Sequence, residues 1–113
     1  MIEQSVIGKD GIRGYIDAIL LRLVAERDRY GYEMYKEVIA RSDGEYELKE
    51  PSLYSAIRRL EAAGFIRAYW GEESQGGRRK YYAITDSGRE QESKARSDWV
   101  VARRILDRLI GES

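Results

Sequence analysis

The chain has 113 residues, 42% apolar and 35% charged, with 20 Lys/Arg balancing 20 Asp/Glu and no cysteine or histidine. Those absences exclude disulfides, zinc-finger ligand sets, thiol nucleophiles and imidazole bases. With a single proline and no run near the ~20 apolar residues of a membrane span, the composition predicts one largely helical folded core.

In chain order, Asp10 offers a cap, and Ile12, Ile16, Ile19, Leu20, Leu23 and Val24 follow the three-four spacing of an amphipathic helix that ends near RDRYG. A short second helix is predicted over residues 31–42, burying Met34, Tyr35, Val38 and Ile39, with SDG closing it. A brief extended piece at residues 46–48 leads into a third helix opening at Glu50 and Pro51, where proline's missing N–H costs nothing. Leu53, Ile57 and Leu60 form its apolar stripe, and Gly64 ends it. Residues 65–70 alternate as a strand with Ile66, Ala68 and Trp70 on one face, and residues 80–85 return. The stretch SQGGRRKYY, residues 74–82, is then the tip of a two-stranded hairpin.

Thr85 and Asp86 cap a last helix reaching about Ile110. Within it Ala95, Trp99, Ala102, Leu106 and Leu109 recur at four and three residues, the seam of a short coiled coil. Val100, Ile105 and Ile110 widen the seam beyond what a solvated terminal helix carries, which predicts a partner. The N-terminal residues MIEQSVIGKDG lack the order of a signal peptide, so the expected location is the cytoplasm, with no membrane partner. Ile2, Val6 and Ile7 leave open whether residues 1–10 are a tail or an arm reaching another subunit.

The zero net charge is unevenly spread. Residues 1–48 carry seven Lys/Arg against ten Asp/Glu, residues 49–85 seven against four, and residues 86–113 six against six, giving −3, +3 and 0. The positive excess sits on the third helix and the hairpin. Helix, helix, helix, hairpin, long helix is the order of a winged helix-turn-helix, mainly α with a small β-hairpin, carrying an added C-terminal helix. In that fold the third helix enters the DNA major groove and the wing reaches the neighbouring backbone.

Two glycines let the tip approach a phosphate closely, and Arg78, Arg79 and Lys80 supply donors. On the third helix Lys49, Ser52, Ser55, Arg58 and Arg59 are groove- or backbone-facing candidates, with Tyr54 able to give its hydroxyl to a phosphate. The bland alternatives are capping serines, arginines paired with Glu50 or Glu61, and a hairpin tip kept soluble by charge. The glycines are no nucleotide loop, since no strand-to-helix phosphate motif surrounds them. Carboxylates nowhere form an apolar-flanked pair, so neither an enzyme nor a cofactor is expected. Trp70 reads as a structural anchor at a strand end, and Tyr15, Tyr32 and Tyr35 as partly buried, core-packing residues bordering a dimer cavity at most.

The run LKEPSLYSAIRRLEAAGFIRAYWGEESQGGRRKYYAITDSG, residues 48–88, resembles the recognition helix and wing of PadR-like transcriptional regulators, and GYEMYKEV resembles that family's second helix. The resemblance spans nearly the whole chain, and the short C-terminus is similar to the compact subfamily with a single dimerisation helix. It implies a dimeric repressor gripping a partly palindromic double-stranded operator, with residues 1–85 as the DNA-binding unit and 86–113 as the dimerisation helix. Carried over by position, it puts Ser52, Tyr54, Ser55 and Arg59 on the DNA side, with Gln75, Gly76, Gly77, Arg78, Arg79 and Lys80 in the wing. It also places Trp99 where drug-sensing members line a flat pore between subunits for planar aromatic ligands, with Tyr15 as a neighbouring candidate. A closed seam in which Trp99 merely packs is the alternative. A different class of function, a winged module for protein interaction or ligand sequestration, predicts weak DNA binding indifferent to sequence.

Overall fold

The computed structural model describes residues 12, 14–72 and 77–111. Asp10, the 1–10 segment, Gln75 and Gly76 lie outside the described residues. Among the described residues four helices and three strands follow one another: α1 (Ile16–Glu26), β1 (Arg29–Tyr30), α2 (Gly31–Arg41), α3 (Glu50–Ala62), β2 (Ile66–Trp70), β3 (Lys80–Ile84) and α4 (Asp86–Ile110). The strands form one antiparallel sheet in the order β1-β3-β2. This is a winged helix-turn-helix with a long C-terminal helix.

The core lies where α1, α2 and α3 meet the inner face of the sheet, and Leu20, Met34 and Leu53 in it have no exposed surface. Five of the eleven residues of α1 are buried, so it reads as the central helix on which the others pack. The predicted stripe of α3 is the buried one, with Ala56 added to Leu53, Ile57 and Leu60. Gly64 ends α3 at φ +82°, its N–H bonding Glu61 and the Phe65 N–H bonding Leu60, which satisfies the last carbonyls of the helix.

The helix that packs at the core runs Ile16–Glu26, after a turn through Gly14 in which the Tyr15 N–H bonds the carbonyl of Ile12, itself helical, at 2.7 Å. Residues 46–48 are the short non-helical lead into α3, with Tyr46 and Leu48 buried in the core. Two expectations need correction, the two-stranded sheet and the Trp70 anchor. The sheet gains a third strand from β1, whose Arg29 and Tyr30 pair with Tyr82 and Tyr81. Trp70 is no anchor, since the end of β2 runs past the core and leaves it 57% exposed.

Arg29 explains β1. Its buried guanidinium donates to the Leu23 carbonyl at 2.7 Å and to Glu26 at 2.8 Å, closing the C-terminus of α1. Glu26 in turn accepts from Arg41 at the end of α2, at 2.5 and 3.0 Å. The Arg41 hydrogen bonds, with Arg29 behind them, hold the Glu26 carboxyl down at about 2 from an ordinary 4.5. A depressed folded value means that the stabilisation is complete above the unfolded value and is lost as pH falls through the folded one. Urea unfolding should therefore show Glu26→Gln less stable than wild type by about 1–2 kcal/mol at pH 7. That difference should shrink between about 4.5 and about 2; a gap of constant size would contradict the network's role.

The last helix is fixed at its start. The Thr85 hydroxyl accepts from the Gly88 N–H at 3.0 Å and donates to the Gly64 carbonyl at 2.6 Å, so the end of α3 and the start of α4 share one cap. Buried Glu92 then accepts from Arg96 at 3.0 and 3.3 Å, with Arg22 of α1 at 3.8 Å. Beyond it, the large apolar residues from Trp99 to Ile110 stand exposed.

Candidate nucleic-acid interface

The outward face of α3 is set by its buried one. Lys49, Ser52 and Arg58 are exposed, and Ser55 is half-buried with its hydroxyl accepting from Arg58 at 3.2 Å. Lys49 has Glu47 at 3.6 Å. Arg59 is exposed too, but pairs neither with Glu50 nor with Glu61: it meets Asp17 of α1 at 2.7 Å. That hydrogen bond raises the guanidinium's pKa further, so Arg59 is charged at every accessible pH.

Tyr54 turns sideways instead of outward. Its ring crosses the start of α2 at Gly31, where a Cβ would stand 2.7 Å from the hydroxyl. Burial, and after it the charge of Glu50, pushes the phenol's pKa up, so it remains a protonated donor.

In the wing, Gly77 takes φ +89°, a turn that side chains rarely adopt. The Arg78 Nε–H donates to the Gly71 carbonyl at 3.4 Å. Arg79 lies over the Tyr30 ring at 4.8 Å, and Tyr30 meets Tyr81 edge to face. Tyr81 stacks on Tyr69, whose hydroxyl donates to Asp28 at 2.5 Å. A row of rings thus runs across the three strands and carries Arg79 at its edge. The wing is braced by β1, not only by its own hairpin.

These elements enclose an open depression of about 570 Å³ lined by Tyr30, Tyr32, Lys36, Tyr54, Arg79 and Lys80, with Gly31 at its floor. Three cations and four tyrosines, Tyr82 included, line it with no carboxylate among the described residues. Such a lining can hold a phosphate by charge and by phenolic hydrogen bonds. The sequence reading missed Lys36 and Tyr30, and it expected Tyr32 to be partly buried: Tyr32 is exposed, stacks on half-buried Tyr35 at 5.8 Å and lines this depression. The signal was present. Tyr32 and Lys36 are four apart, roughly opposite Met34 and Val38 on a helix of about 3.6 residues per turn.

Tyr15 and Trp99 do meet. Their rings contact edge to face at 5.3 Å, across a cleft of about 330 Å³ between α1 and α4. Ala95 and Ala102 line this intramolecular cleft, with Asp17 and Asp98 at its polar positions. The predicted seam is therefore divided: its first half faces the protein's own α1, while Leu106 and Leu109 are exposed.

The profile of the transcriptional regulator PadR-like family matches residues 20–94, the span from α1 through the wing into α4. The chain belongs to the PadR-like family. Its members are transcriptional regulators, which makes this chain a DNA-binding regulator and not an enzyme. Among solved structures, this PadR-like chain is similar to a transcriptional regulator from Clostridium thermocellum, with 40% identity and a TM-score of 0.83 over 92% of this chain and 98% of that one. It is also similar to a PadR family transcription regulator from Clostridium difficile R20291, at 34% identity and TM-score 0.76 over 86% and 99%. An uncharacterized protein from Lysinibacillus sphaericus is 42% identical over 102 residues, 90% of this chain and 94% of that one. Among the described residues no helix is long and apolar enough to cross a membrane.

Proposed function

We propose that this PadR-like chain is a homodimeric repressor whose two winged units hold an operator and let it go when a planar aromatic ligand binds beside Trp99. The reading is carried by one observation: a surface of clustered cations and tyrosines and an uncovered apolar helix stripe lie on the same small chain. Residues 1–85 form the DNA-binding unit and 86–113 the pairing helix. Lys49, Ser52, Ser55, Arg58 and Arg59 face the duplex from α3, Tyr54 offers its hydroxyl from the depression beside it, and residues 77–80 meet it from the wing. Lys36 and Tyr32 join them from α2.

Pairing along Leu106 and Leu109 sets two α3 helices at successive major grooves about 34–36 Å apart. The cleft between Tyr15 and Trp99 offers the flat aromatic walls that favour a planar ligand. A ligand that prefers a wider setting of α4 against α1 lowers DNA affinity by the same factor by which DNA lowers its own.

The test is release of a labelled duplex from the wild type by a neutral planar aromatic compound, beside Trp99→Ala. The wild type should lose DNA affinity by about 5- to 150-fold, while Trp99→Ala binds DNA and ignores the compound. Equal release from both proteins would remove Trp99 from the switch.

A further inference from the structure

Asp17 and Arg59 join α1 to the recognition helix. The Asp17 carboxylate accepts from Arg59 Nη2 at 2.7 Å and from Nε at 3.4 Å. The two side chains are 44% and 57% exposed, and in that range an ion pair is weak and exchanges readily. Arg58, one residue earlier, has a neutral hydroxyl as its described partner. One residue turns a helix by about 100°, so Arg59 occupies the flank of α3 between its outward face and α1.

A carboxylate and a phosphate present a guanidinium with the same two-oxygen acceptor. The Arg59 edge held by Asp17, Nε and Nη2, is the one a phosphate would compete for, and an acceptor on the remaining donors would share the same single positive charge. Asp17 also lines the Tyr15–Trp99 cleft, so α1, α3 and α4 come together around this one carboxylate.

We propose that Asp17 is an internal competitor for DNA phosphate: it occupies Arg59 in the free protein and sets how much indiscriminate, charge-driven affinity the recognition helix shows. The inference rests on the reading that places Arg59 on the DNA side. Non-specific binding is almost wholly electrostatic, and a residue that neutralises one cation of the interface lowers it for every sequence. Affinity for an operator then depends more on the contacts that read bases.

The test uses a scrambled labelled duplex, which requires no knowledge of the operator. Wild type, Asp17→Asn, Arg59→Ala and the double variant are titrated by fluorescence anisotropy across a salt series. Asp17→Asn should bind roughly three- to tenfold tighter, with a log–log salt slope steeper by about 2 for a dimer, one phosphate contact per protomer. The gain should vanish when Asp17→Asn is made on the Arg59→Ala background, and Asp17→Glu should keep wild-type binding. An equal gain on both backgrounds would show a general effect of removing negative charge and overturn the proposal. Weaker binding by Asp17→Asn would overturn it too, since Asp17 would then be orienting Arg59 for DNA. Salt-dependent binding identical in wild type and Asp17→Asn sinks the competitor role alone. No salt-dependent binding by any of the four proteins sinks the DNA-side reading of Arg59 together with it.

Discussion

Gly88→Ala should destabilise the protein by about 3 kcal/mol, at the upper end of what overpacking a close contact costs. Helix propensity alone gives the opposite sign, because alanine in place of glycine within a helix favours folding by about 1 kcal/mol. The contact decides. A Cβ at position 88 would stand 2.8 Å from Ile84 Cγ1 and closer still to the Phe65 carbonyl oxygen. That oxygen cannot move aside, since it accepts from the Thr85 N–H at 3.0 Å beside the end of α3. The Thr85 cap and the Ser87 hydroxyl, which donates to the Gly64 carbonyl at 3.1 Å, bind the same corner. Urea unfolding followed by far-ultraviolet circular dichroism measures the loss. A variant as stable as wild type would mean that α4 can shift away from the turn after α3 without cost.

Charges placed on the exposed stripe should have their largest effect on assembly. Ile105→Glu with Leu109→Glu is expected to convert the proposed dimer to monomer in sedimentation equilibrium and to weaken operator binding by about 10²-fold or more, since each half-site must then be held alone. The stripe from Trp99 to Ile110 leaves seven large apolar side chains exposed, with Leu109 at 72%. A contiguous patch of that kind marks an interface, and a twofold pairing places the same stripe on both sides of it. Because these residues contribute nothing to the described core, the unfolding transition of the winged unit should survive in the variant. A double variant that remains dimeric, with operator affinity intact, would move the interface off α4.

The sequence read well where its signals are local. The stripe of α3, its stop at Gly64, the hairpin and the Thr85 cap each depend on residues within one turn or one strand pair, and each stands as expected. Contacts between distant segments were not legible. β1 is two residues long and exists because Arg29 is buried against α1 while Tyr30 meets Tyr81, fifty-odd positions away. The Asp17–Arg59 pair spans 42 residues, and neither partner carries a local sign of the other. The tyrosines of α2 are a different case, because the helical period placed Tyr32 and Lys36 away from the core, and only the habit of burying aromatic residues hid it.

The central claim is that the cations of α3 and the wing grip DNA. It is tested most directly by fluorescence anisotropy of a labelled fragment from upstream of the protein's own gene beside a scrambled control. Wild type and Arg78→Ala/Arg79→Ala are compared across a salt series. The account predicts at least ~10³-fold tighter binding of the native fragment, and a double variant with a log–log salt slope shallower by about 2 to 4 for a dimer. Equal, weak binding of both fragments, unchanged in the double variant, would contradict it and leave the basic hairpin as a surface for an acidic protein partner.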